Sequence, residues 1–170
     1  MTFSIYDASA PVFAATLRNM SNWLDKATAD GADEGRLMNA RLTDDMHPLT
    51  RPLQMASDAA KGAVARLSGV ENPSMPDTEQ SLAELKARLQ KTIDFVESVD
   101  RSKIDGAEGR EIELKFPNGM GYRFDGERFL NGFALPNFYF HAAMTYALLR
   151  ANGAPLGKPD FLAHLGPPNL

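Results

Sequence analysis

The segment from Pro136 to Gly153 restricts the possible folds more than any other stretch, because it reads as one helix that is apolar on nearly every side. Such a helix has no water-facing stripe of its own and must be surrounded by other elements. Its polar residues form a single line, Asn137, His141 and Thr145, spaced by four and therefore stacked on one side. Without water to hydrate them, these groups need partners inside the protein, and His47 is the candidate to join them. The stripe marks a place for binding or chemistry without naming a reaction.

The rest of the chain supplies the elements that would surround this helix. Phe13, Leu17, Met20, Leu24 and Ala27 recur at steps of four and three, predicting helix one over about Asp7 to Thr28, with Pro11 tolerated in its first turn. A polar connection from Asp30 to Gly35 leads to a short helical piece near Leu37 to Leu42. Helix two carries the stripe Leu49, Leu53, Ala56, Ala60, Ala63 and Leu67. Two starts fit it: a cap at Thr43 followed by Asp44 and Asp45, or a restart at His47-Pro48, since Pro48 and Pro52 would otherwise lie inside the helix. Helix three is capped by Asp77 or Thr78 and buries Leu82, Leu85, Leu89, Val96 and Val99, with Glu84, Lys86, Arg88 and Lys91 read as solvated surface.

After helix three the period changes from helical to alternating. Ile112, Leu114 and Phe116 alternate with Glu111, Glu113 and Lys115, and Pro117-Asn118-Gly119 turns the chain back into Tyr122 and Phe124, a β-hairpin. Its apolar face, with Phe129, Phe133 and Leu135, is expected to cover one end or side of the helices. Helix four starts near Pro136 and ends at Asn152-Gly153, and a tail packs by Phe161, Leu162 and Leu165. The expected fold is all-α: a four-helix up-and-down bundle with a small β-hairpin insertion between helices three and four. At 170 residues it forms a single domain, residues 1–170.

Composition removes several classes of function. With 18 basic and 22 acidic residues the net charge is -4, and no basic run exceeds two residues, which argues against nucleic acid and against an anionic membrane surface as partners. Cysteine is absent, so disulfides, thiolate metal sites and cysteine nucleophiles are excluded. The segment from Met1 to Ser9 carries Asp7 and no positive residue, unlike a secretory signal, and no apolar run reaches the roughly 18 residues of a membrane span. A soluble, cytoplasmic protein is expected.

Facing helices of a bundle build metal and ligand sites, and neutral imidazole is the commonest nitrogen ligand for zinc or nickel. His47 and His141 lie on separate elements, and His164 lies in the tail. A catalytic zinc takes about three protein ligands, so Asp44 or Asp45 would have to complete the set, Thr145 being a weak ligand. In the competing reading His141 is hydrogen-bonded to a backbone carbonyl, an Asn or a Tyr, and replacing it would leave those partners unpaired. His47 falls on the face of Arg51 and Asp58 if helix two is regular, an objection that an irregular start at Pro48 removes.

Other apparent motifs fail on inspection. The run from Gly153 to Pro159 is one residue short of a phosphate loop and has Pro159 where Ser or Thr would meet magnesium. There is no Gly-x-Ser-x-Gly turn, Phe138, Tyr139 and Phe140 read as core rather than a base-stacking platform, and Trp23 reads as core or interface.

The runs Asp44-Asp45-Met46-His47-Pro48-Leu49, Pro136-Asn137-Phe138-Tyr139-Phe140-His141, Tyr146 to Gly153 and Gly157 to Phe161 together resemble the bacterial and fungal group called domain of unknown function nineteen-ninety-three. That group belongs to the DinB/YfiT-like superfamily, and the similarity covers the whole chain. The resemblance implies a four-helix bundle, often a homodimer, in which one histidine of helix two and a His-x-x-x-His pair of helix four hold a divalent metal, commonly nickel or zinc. Superfamily members of known activity include thiol-dependent transferases and hydrolases. His47 would match the helix-two ligand and His141 the first of the pair, while Thr145 departs from the second.

Two functions follow as expectations. The preferred one is a non-catalytic bundle, a small-ligand binder or dimeric scaffold with a degenerate metal site, whose pocket is formed by Asn137, His141 and Thr145. The alternative is a divalent-metal enzyme using His47 and His141.

Overall fold

The computed structural model describes residues 4–29 and 31–170. Asp30, in the expected first connection, and residues 1–3, in the segment read for a leader, lie outside the described residues. Four long helices dominate: α1 (Ala10–Thr28), α3 (Thr50–Ser68), α4 (Leu82–Ser98) and α7 (Leu135–Ala151), with the short α2 (Glu34–Met38) between the first two. Short elements join or extend them: α5 (Arg101–Ile104), the strands β1 (Ile112–Lys115) and β2 (Gly121–Phe124), α6 (Gly126–Phe129) and α8 (Lys158–Phe161). α1 packs on α4 and α7, and α3 packs on the same two helices, so each long helix has neighbours on two sides. None of the described helices is long and apolar enough to cross a membrane.

The stripes of α1, α3 and α4 are buried as the periodicity predicts, from Phe13, Leu17, Met20 and Leu24 to Leu53, Ala60, Leu67, Leu85 and Leu89. Phe13 meets Phe138 edge to face at 4.9 Å, which ties α1 to α7 through the core. Of the two starts open for helix two, the later one occurs: α3 begins at Thr50, and Asn39 to Leu49 is an irregular connection. The reason is proline chemistry. Pro52 in a first turn loses no helix bond, whereas a helix running from Thr43 would have to accommodate both prolines in its interior. The short piece expected near Leu37 to Leu42 sits earlier, at Glu34–Met38, where Asp33 caps it by accepting from the Arg36 amide at 3.0 Å.

Helix three is capped by Ser81, neither Asp77 nor Thr78, its hydroxyl accepting from the Glu84 amide at 3.1 Å. Asp77 instead pairs with Arg51 at 2.5 Å and Arg88 at 3.0 Å. Arg88 was expected on the solvated face, and it is 4% exposed. It is held by Asp58 at 2.8 Å, Glu79 at 3.0 Å, Ser57 Oγ at 3.2 Å and the Pro76 carbonyl at 3.2 Å. One buried guanidinium thus binds the Gly69 to Ser81 connection down onto α3 and α4.

The hairpin forms with Ile112 opposite Phe124 and Lys115 opposite Gly121, and Ile112 and Leu114 are its buried side. Phe116 and Tyr122 stay exposed. The helical backbone leading to α7 starts earlier than expected, at Gly126, and widens into a π turn over Leu130–Ala134, where the Leu135 amide donates to the Leu130 carbonyl. Pro136 explains the widening: it has no N–H to donate, and its ring clashes with the carbonyl four residues earlier in a regular turn.

α7 itself departs from the expectation of burial on all sides. Its Phe13-facing side is core, but Tyr139, Phe140 and Ala143 lie on an exposed face, Phe140 at 57%. In the tail only Phe161 of the three expected anchors packs, stacking on Trp23 at 5.2 Å, while Leu162 and Leu165 are exposed. Trp23 is core, and its Nε1 donates to the Asp160 carbonyl at 3.0 Å.

Candidate functional site

The π turn and α7 set Asn137 and His141 one turn apart on the side that faces α3. There they meet residues that recur along one face of α3, namely Arg51, Met55, Asp58 and Arg66. Together these side chains line an open polar cavity of about 290 Å³, whose other walls include Leu114 of the hairpin, Phe129 and Phe133. A second cavity of about 250 Å³ lies between α7 and the irregular connection before α3, lined by Asp45, Met46, His47, Met55, Phe140, His141, Met144 and Leu148. Met55 and His141 belong to both walls.

His141 is only 8% exposed, and neither of its ring nitrogens is hydrogen-bonded to a described residue. No fully enclosed side-chain nitrogen or oxygen among the described residues lacks a partner, so the imidazole nitrogens open onto the cavities. Burial, assisted by the positive charge of Arg51, holds the His141 pKa below its ordinary value. The ring is therefore neutral at pH 7, with one N–H to donate and one lone pair to accept. The Asn137 amide is likewise without a partner among the described residues, and it opens onto the polar cavity.

The stripe predicted from sequence thus divides. Asn137 and His141 come together in the polar cavity, and His47, exposed in the connection before α3, joins His141 at the second. Thr145 lines neither cavity: it is fully buried, and its hydroxyl donates to the His141 carbonyl at 3.0 Å, within its own helix. Asp45 shares the second cavity, its carboxyl held below the usual range by the Thr43 hydroxyl, whereas Asp44 does not line it. His164 sits against α1, its Nδ1 3.0 Å from the Asn19 amide nitrogen.

Two imidazoles and one carboxylate, those of His47, His141 and Asp45, line the second cavity. Among the described residues no group of three or more His, Asp or Glu side chains is placed to hold a metal ion. The helix-four position that would supply the third ligand is Thr145, whose hydroxyl is committed to backbone.

Arg51, Met55, Arg66 and Met144 were not singled out as site residues from sequence. Their signal was present: residues 51, 55, 58 and 66 of α3 recur at helical spacing on one face, beside the more conspicuous leucine and alanine stripe.

The chain's mostly helical fold, with its small antiparallel hairpin, is DinB-like. A solved DinB family member protein from Shewanella denitrificans is similar to it, with a TM-score of 0.87 and 33% identity over 97% of this chain and 95% of that one. The family model described as Domain of unknown function (DUF1993) matches residues 5–162, and the chain belongs to that family. No protein of curated function matches it.

Proposed function

We propose that this protein binds a small molecule at His141 and catalyses no reaction there, acting as a ligand-binding or scaffold protein with a degenerate metal site. One observation carries the reading: a buried, neutral imidazole stands on the wall of two cavities with no protein partner for its nitrogens. Buried polar groups are nearly always paired, so a ligand or water must complete this one. Asn137 adds a second unpaired group beside it, and Thr145 contributes indirectly by fixing the backbone turn that carries His141. Methionine-methyl NMR of the purified chain against a set of small molecules tests the idea. Shifts at Met55, Met46 and Met144 that disappear in His141→Leu are expected, and a set that moves none of these methyls refutes it.

The second reading is a divalent-metal enzyme of the thiol-transferase or hydrolase type, with nickel or zinc on His47 and His141. Its support is that both imidazoles and Asp45 line one cavity. Elemental analysis of untagged protein after incubation with zinc or nickel decides it, since retention below about a tenth of an equivalent is incompatible with a resident metal.

For the assembly, we read the four long helices as an up-and-down bundle, working as a cytoplasmic homodimer without nucleic-acid or membrane partners. The exposed apolar residues Tyr139 and Phe140 on α7 support self-association. Light scattering that returns a monomer mass refutes it.

A further inference from the structure

Building on the binding reading above, we infer that the ligand is an amphipathic monocarboxylate, its carboxylate seated in the polar cavity on Arg66 and Asn137 and its apolar body in the methionine-lined cavity beyond His141. Charge accounting at the polar cavity points to a single negative group. Two guanidinium groups and one carboxylate line it. Asp58 is already held by Arg88 at 2.8 Å and by Lys61 at 3.2 Å, and Arg51 is already paired with Asp77 at 2.5 Å. Arg66 has no carboxylate partner among the described residues, and its Nη1 donates only to the Gly62 carbonyl, at 2.8 Å.

A half-buried guanidinium without an anion is a costly arrangement, and burial indeed lowers the Arg66 pKa. A carboxylate would relieve it with charge-assisted hydrogen bonds, for which the planar fork of arginine is well shaped. The neighbouring groups complete the match: the Asn137 amide offers two N–H donors, and the imidazole offers one or accepts one. One unpaired positive charge suits a carboxylate better than a doubly charged phosphate. The second cavity selects the rest of the molecule, because methionine and phenylalanine walls accept flexible apolar shapes.

Isothermal titration of the full chain at pH 7.5 with sodium octanoate, 1-octanol and octyl phosphate tests the inference, with Arg66→Met, Arg66→Lys and Asn137→Asp as variants. Octanoate should bind about 10- to 100-fold more tightly than octanol, the range for a hydrogen bond to a charged group. Arg66→Met should abolish that difference, Arg66→Lys should restore part of it, and Asn137→Asp should weaken octanoate. Equal binding of octanoate and octanol, indifferent to Arg66→Met, overturns the carboxylate assignment and leaves the small-molecule reading standing. Tighter binding of octyl phosphate than of octanoate overturns the single-charge argument. Binding of none of the three overturns the inference, and the methyl NMR set then decides the broader reading separately. Melting curves of the variants establish that each is folded, and the octanoate-to-octanol ratio within one variant is independent of its stability.

Discussion

Arg88→Ala should be among the most destabilising single changes in this protein, and the size of the effect follows from what the guanidinium leaves behind. Its side chain is 3% exposed and meets three carboxylates, one hydroxyl and one carbonyl. The three acids are not equivalent. Asp58 and Asp77 are 42% and 36% exposed and keep other cations, Lys61 and Arg51, so losing Arg88 costs little at either. Glu79 is 11% exposed and, among the described side chains, retains Gln54, at 2.8 Å. Stranding that carboxylate, together with the Ser57 and Pro76 bonds and the lost packing of the arginine stem, amounts to about 3 to 4 kcal/mol, near the lower end for breaking a buried ion pair. For a chain of this size that is a fall in Tm of roughly 6 to 16 °C. Urea unfolding at pH 7 measures it, and a loss below about 1 kcal/mol would refute the claim that this arginine anchors the α3–α4 connection. A pH series adds a second check. Burial opposes ionisation of Glu79, but the bonds from Gln54 and Arg88 outweigh it and hold its carboxyl below the usual value of 4.5. The stabilisation from that carboxylate is therefore complete above pH 4.5 and lost as the pH falls through the lower folded value. Arg88→Ala should flatten this acid limb.

His141→Leu should leave stability at pH 7 unchanged or raise it by up to about 1 kcal/mol, because no protein hydrogen bond is lost and the new side chain is apolar; a loss above about 2 kcal/mol would mean the ring has a protein partner. Its folded pKa lies below the unfolded 6.5, so the wild type should lose stability relative to His141→Leu as the pH falls from 7 through that lower folded value. Urea midpoints that run parallel across this range would contradict it. Ser81→Ala removes the cap of α4 and should cost about 1 kcal/mol by urea unfolding, against no measurable effect for Thr78→Ala. Phe138→Ala, at a fully buried side chain in edge contact with Phe13, should cost about 3 to 5 kcal/mol, and a shift in Tm of only a degree or two would show that α1 and α7 can close over the gap.

Helices are legible in this sequence wherever burial falls on one periodic stripe, as at Leu85, Leu89 and Val96 of α4 or Leu53, Ala60 and Leu67 of α3. Periodicity reports the face that leaves water, and these residues leave it for a continuous apolar core. Arg88 is not legible from its charge, because charge type is a poor proxy for exposure where carboxylates gather around it. Its burial is produced by Asp77 and Glu79, which belong to a connection whose path has no period to read. α7 departs in the opposite sense: hydrophobicity on nearly all sides does not bring burial on all sides, since Tyr139 and Phe140 remain on the surface. The start of α3 was legible only as a choice between two places. Local proline chemistry decides it, and nothing in the leucine pattern does.

The site shows the same division between what spacing and what context determine. Residues four apart on α7 were expected to act together, yet Thr145 and His141 differ in whether the helix itself can satisfy them. A threonine hydroxyl reaches the carbonyl one turn back, so Thr145 is complete without any tertiary partner. An imidazole has no such local bond available, and Asn137, in the first turn of α7, makes none either. The two residues left incomplete by their own helix are those that face α3, where Arg66 is also without its counter-charge. Three polar groups from two elements thus open onto one cavity with bonding capacity that no described residue takes up. That convergence is what supports the proposed ligand, which would complete all three at once.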